Sequence, residues 1–143
     1  IQYGISQIDG GTKIEIGSYS EHEKNQDLNK GQFQINDDRS LNEIIDELID
    51  KNMIPSFCTA CYRLGRTGEH FMEFSVPGFI KGFCTPNALL TLAEYLEDYA
   101  PQETITKGYK LIEKHIPDLN DKMQIKVKER LGLIKQGKRD LYF

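Results

Sequence analysis

Three cysteines, Cys58, Cys61 and Cys84, are the only thiols in 143 residues, and they follow the pattern C-x2-C-x22-C. A gap of two residues turns the chain tightly enough for both sulfurs to face one metal centre. Zinc sites and iron–sulfur clusters share this device. The number of donors matters as much as their spacing. Structural zinc takes four protein ligands, whereas a cubane cluster on three thiolates leaves one iron open to a ligand from elsewhere.

The segment between the cysteines suits an anionic centre. Gly65, Gly68, Gly78 and Gly82 free the backbone for close approach, and successive N–H groups can form an anion-binding nest. Arg63 and Arg66 lie beside the first pair and can offset the charge of thiolates and cluster. Cys84 directly precedes Thr85 and Pro86, which read as an N-cap and a first helical position. That predicts a sulfur near a helix N-terminus, where partial positive charge favours the thiolate.

Other chemistries compete for the same residues. A thioredoxin-like pair at Cys58 and Cys61 calls for a preceding strand in a βαβ unit, which the pattern lacks. His70 is the only histidine between Cys58 and Cys84, and it can complete a Cys3His zinc site that staples a helical interaction domain. On the residues alone that site and a cluster stand level. Inert core cysteines are the plain alternative, and three at this spacing argue against it. Loop arginines are commonly just solvated, so Arg63 and Arg66 carry little weight by themselves. His22 and His115 read as surface or core residues. The 22 Asp and Glu are scattered, and no acid–base pair stands out. There is no phosphate loop and no G-x-G-x-x-G, so no catalytic residue is assigned.

The elements that must position these thiols are mostly helical. "YGISQI" (Tyr3–Ile8) reads as a buried strand leaving into the Gly10-Gly11 turn, and "KIEI" (Lys13–Ile16) as a second short extended piece. Gly17–Asp38 is polar and reads as a long surface connection. "SLNE" (Ser40–Glu43) has the form of a capping box. Leu41, Ile44, Ile45, Leu48 and Ile49 then build one apolar helix face, closed by Pro55. After Cys84 three helices follow. Leu89, Leu92, Ala93 and Leu96 mark the first, broken by Pro101. Ile105, Tyr109, Ile112 and Ile116 mark the second, ended by Pro117. Leu119, Met123, Val127, Leu131 and Ile134 mark the third, with Gly137 as its stop. Tyr95, Tyr99 and Tyr109 fall where helix packing places core residues.

Composition sets the outer bounds. Hydrophobic residues make up 38% and charged residues 28%, which suits one modest core. A formal charge of −4 gives no footing for nucleic acid or an anionic membrane as partner. No apolar run is long enough to span a bilayer. An odd number of cysteines argues for a cytoplasmic setting with metal-bound or reduced thiols. The chain opens at Ile1 on interior-looking sequence and reads as part of a longer protein.

"CTACYRLGRTGEHFM", the later "FCTPNALLTLAEYLEDY" and the ending "GKRDLYF" resemble the C-terminal domain of the HydG family, the radical-SAM tyrosine lyases that mature FeFe-hydrogenase. The likeness is firm over 40–143. Upstream, "ISQIDGGTKIEIGSY" looks like the last barrel strand and its loop, although Asp9–Thr12 depart from the family's Ser-Ala-Gly-Ser turn. The resemblance implies a mainly α chain: residues 1–53 as the last βα portion of a TIM-type barrel, and residues 54–143 as a helical auxiliary-cluster domain. It implies that Cys58, Cys61 and Cys84 hold an auxiliary 4Fe-4S cluster with a labile extra iron. In the whole enzyme it implies a second 4Fe-4S cluster on a C-x3-C-x2-C motif, which this chain does not contain, together with S-adenosylmethionine. Tyrosine would be cleaved to carbon monoxide and cyanide, and cysteine would help bind the extra iron. Other hydrogenase maturation proteins are the implied partners. A piece cut from such a barrel is expected to expose apolar surface.

Overall fold

The protein was analysed as a computed structural model that describes residues 7–12, 39–63, 68–78 and 81–143, with the backbone alone for His70, Phe74 and Lys81. Among the described residues the regular structure is helical and there is no strand. Most of Tyr3–Ile8 lies outside the described residues, and Gln7 and Ile8 have no regular structure. The extended piece expected at Lys13–Ile16 and the connection at Gly17–Asp38 also lie outside them. No described helix is long and apolar enough to cross a membrane.

The chain divides into two compact units, Ile1–Glu47 and Leu48–Phe143. The division falls inside the first helix, upstream of the boundary expected at 53. In the first unit Gly11 takes φ +71, and a Cβ there would stand 2.9 Å from the Leu41 backbone nitrogen. Only glycine meets both demands without strain. Helix α1 (Leu41–Asp50) begins with the expected capping box. The Ser40 N–H donates to the Glu43 carboxylate at 2.8 Å, and the Glu43 N–H donates back to the Ser40 hydroxyl at 3.3 Å. Arg39 pairs with Glu47 over the same turns. Ile44, Ile45 and Ile49 are buried, while Leu41 is left exposed.

The stop of α1 comes before Pro55. Asn52 takes φ +58, its N–H reaches the Ile49 carbonyl at 2.9 Å, and the Met53 N–H reaches Leu48 at 2.9 Å. This paired closure caps the last turn, and Asn is the residue after Gly that best tolerates the left-handed position.

In the second unit, α2 (Glu69–Ser75) is a short helix inside the cysteine segment. Helix α3 (Lys81–Tyr99) is the central element. Leu89, Leu90, Leu92, Ala93 and Leu96 on it are fully buried, more than the single expected stripe. Helices α4 (Gln102–His115) and α5 (Asp121–Lys135) pack against it. Pro101 separates α3 from α4 as expected, and a 3₁₀ turn at Ile116–Asp118 leads to α5. Asn120 caps α5 by accepting the Met123 N–H at 3.0 Å. Gly137, at φ +92, ends it.

Two packing expectations need correction. The buried face of α4 carries Thr104, Gly108, Leu111 and Ile112, so Ile105 and Tyr109 lie at its edge. The reason is Gly108, where a Cβ would stand 2.5 Å from a Leu96 methyl. The missing side chain lets α4 settle on Leu96 and turns its face accordingly. Tyr99, expected in the core, is 77% exposed.

Candidate metal centre

Helix α3 starts at Lys81, so Thr85 is not its N-cap and Pro86 lies inside it. Proline is tolerated there because its φ is already helical and it forfeits a single bond, to the Gly82 carbonyl. Cys84 therefore sits within the first helical turn rather than ahead of it. From Cys84, positions 87, 88, 91 and 95 follow at steps of three, four, seven and eleven, which share one helix face. That face receives the rest of the site.

The loop carrying Cys58 and Cys61 docks on it. The Phe57 N–H donates to the Thr91 hydroxyl at 3.2 Å, and that hydroxyl donates to the Ala88 carbonyl at 3.2 Å. The Phe57 ring stacks on Tyr95 at 5.4 Å between centroids, with 20° between planes. Burial pushes the Tyr95 phenol above its ordinary value. Beyond this dock the chain enters a 3₁₀ turn, Ala60–Tyr62, with Ala60 buried. The Ala60 N–H points at the Cys58 sulfur, 3.5 Å away. N–H donors to sulfur are one means by which proteins tune iron–sulfur centres.

All three cysteines are thiols, Cys58 and Cys61 half-buried and Cys84 exposed. Burial raises the Cys84 thiol above its ordinary value, and the charges of Cys61 and then Cys58 raise it further. The three are therefore electrostatic neighbours. The rise is opposite to the thiolate-favouring direction expected for a sulfur near a helix N-terminus. Among the described residues no three His, Cys, Asp or Glu groups converge to hold a single metal ion. The donor set is three thiols, two on the loop and one on α3, and thiolates are the usual protein ligands of an iron–sulfur cluster. His70 lies in α2, and its side chain is outside the described residues, as is Arg66.

Arg63 is bound elsewhere than to the thiols. Its guanidinium grips Asp140 by two hydrogen bonds, one of 3.1 Å. It also lies 5.0 Å from the centroid of the Tyr142 ring. The tail after α5 is in turn fastened to α3. Arg139 takes Asp98 with bonds of 2.8 and 2.6 Å, the Leu141 N–H donates to Glu94 at 3.1 Å, and the Phe143 N–H donates to the buried Asn87 at 2.8 Å. Arg130 covers the Phe143 ring at 3.7 Å.

Spacing alone singles out the three cysteines as candidate ligands. Thr91, Tyr95 and Asn87 were missed as positioning residues. The signal for them was their helical register with Cys84. Of the loop glycines, Gly68 and Gly78 do take left-handed φ, Gly82 is helical, and Gly65 lies outside the described residues.

Among solved structures the chain is similar to the crystal structure of HydG, a maturase of the FeFe-hydrogenase. They share 42% sequence identity and a TM-score of 0.84, over 98% of this chain and 30% of that one. The chain thus spans less than a third of that protein's length. No family model and no curated protein matches it.

Proposed function

The chain belongs to the HydG family as a C-terminal segment, and from that premise we propose that it is the auxiliary-cluster domain of a hydrogenase maturase. Cys58, Cys61 and Cys84 are the proposed ligands of a 4Fe-4S cluster. The observation that carries the reading is the C-x2-C-x22-C spacing, with the Cys58–Cys61 loop docked through Phe57 on the helix that bears Cys84. When bound, such a cluster supplies one iron that no protein thiolate occupies, a place for an exchangeable ligand.

The chain's own residues do the rest. Helix α3 presents Cys84 from a rigid face, and Phe57 seats the loop on that face through Thr91 and Tyr95. The Ala60 N–H is aimed at the Cys58 sulfur and helps hold its position.

For the whole protein the proposal is tyrosine cleavage with S-adenosylmethionine, which yields carbon monoxide and cyanide. Both are delivered to an extra iron that is cargo for the hydrogenase active site. Radical generation belongs to residues outside this chain, and other maturation proteins are the proposed recipients.

Anaerobic incubation with iron and sulfide tests the reading. The chain should take up about four of each, with the absorption and EPR of a cubane after reduction. Serine at any of the three cysteines should lower iron uptake. A chain that instead binds tetrahedral zinc and takes up no iron would remove the cluster from this site.

A further inference from the structure

We propose that the tail Lys138–Phe143 braces the cysteine loop against α3, with Arg63 and Asp140 as the positioning residues that set Cys58 and Cys61 relative to Cys84. The inference rests on the reading of the three cysteines as cluster ligands.

The tail runs backwards along α3. As its numbers rise through 139, 141 and 143, its partners fall through Asp98, Glu94 and Asn87. Eleven helical residues span about 16 Å, and four extended steps span about 13 Å. The Arg139 and Asn87 side chains make up the difference. The tail is therefore stretched along the helix, tied at both ends and in the middle. Its far end reaches Asn87, one turn from Cys84. Asn87 takes both polar groups of the Phe143 backbone: the N–H at 2.8 Å and the carbonyl at 3.4 Å.

Asp140 stands between the first two ties. Its φ of +62 is a left-handed conformation that few residues other than glycine adopt. Such strain persists where surrounding contacts fix the backbone. Asp140 takes the Arg63 guanidinium with both carboxylate oxygens. Among the described residues the Nε of Arg63 is enclosed without a hydrogen-bond partner. Arg63 follows the 3₁₀ turn that holds Cys61, and its N–H closes that turn onto Ala60 at 3.3 Å. The loop is thus held on both sides of its thiols: ahead by Phe57 on α3, behind by Arg63 on the tail. Both holds end on the helix that carries Cys84. The spacing of the three sulfurs is then a property of α3 and its strap rather than of the loop itself.

The test uses the intact chain, anaerobic and metal-free, in five forms: unaltered, Arg63→Gln, Asp140→Asn, those two together, and Arg63→Lys. Asn tolerates the left-handed backbone, so folding should survive. Iodoacetamide labelling of each cysteine is followed by mass spectrometry. Each single variant should speed labelling of Cys58 and Cys61 relative to Cys84 by about threefold, the scale of a partly exposed ion pair. The double variant should go no further than either single one, because the two residues act through one contact. Arg63→Lys, which keeps the charge and loses the fork, should fall between. Unchanged labelling in the single variants, or effects that add in the double variant, would overturn the brace. In the loaded chain the reduced-cluster EPR spectrum should shift alike in both single variants; an unshifted spectrum also overturns it. An unaltered chain that takes up no iron and sulfide defeats the cluster reading instead, and the labelling series still decides the brace.

Discussion

The thiols come from two regions built on opposite principles. Cys84 stands on α3, whose five residues Leu89, Leu90, Leu92, Ala93 and Leu96 are shut away from water. Cys58 and Cys61 stand on a loop in which Ala60 is buried while Phe57 and Tyr62 are exposed. The helix keeps its shape through the burial of apolar surface, which is strong and indifferent to direction. The loop keeps its shape through a few directed contacts: Phe57 to Thr91, Phe57 on Tyr95, Arg63 to Asp140. One region supplies a fixed reference, and the other is fitted to it. A centre that must grip a cluster and leave one corner accessible suits that division.

The comparison breaks hardest at the bundle. Leu96→Ala should cost about 2–5 kcal/mol, because Leu96 packs on Gly108 and fills the seam between α3 and α4. Urea unfolding followed by circular dichroism measures it, and metal loading should be lost along with the fold. Phe57→Ala sharpens the contrast. It removes an aromatic pair worth about 0.5–1.5 kcal/mol and undocks the loop while sparing the bundle. Iron retention against a chelator should fall, whereas the urea midpoint should move little. If the midpoint moves as far as it does for Leu96→Ala, the two regions are a single cooperative body.

The smallest effect is set by pH. The Arg139 hydrogen bond holds the Asp98 carboxyl below its usual range. A depressed carboxylate contributes stability above its unfolded pKa and loses it as pH falls through the folded value. Acidification below the ordinary carboxylate range should therefore loosen the tail before the bundle melts. Amide exchange at Leu141 and Phe143 should rise first, and Asp98→Asn should remove that acid step.

Some of this was plain in the chain itself. Ser40 and Glu43 announced their capping box, and Pro101 and Gly137 marked real ends, because caps and breakers act through local geometry. The start of α3 was misread because Thr85-Pro86 has the chemistry of a helix start, whereas the helix begins at Lys81 and carries the proline inside it. The face of α4 was misread because a glycine shows no apolar side chain, yet a Cβ at Gly108 would collide with Leu96 on α3. At the site, spacing singled out the thiols as candidate ligands, since metal chemistry calls for donors of a fixed number and kind. That spacing left their supports unmarked. Thr91, Asn87, Glu94 and Asp98 act by meeting a partner distant in the chain, and no local pattern encodes such a meeting.

Pro86 gives the first turns of α3 a character of their own. Proline has no N–H to offer the Gly82 carbonyl, and Gly82 is itself a poor helix former. The stretch that bears Cys84 is joined to the leucine-rich remainder by one rung fewer than a continuous ladder would have. The winding of that turn therefore rests on the bonds around the proline and on the packed residues 89–96 that follow it, and the Cys84 sulfur keeps the register those residues set.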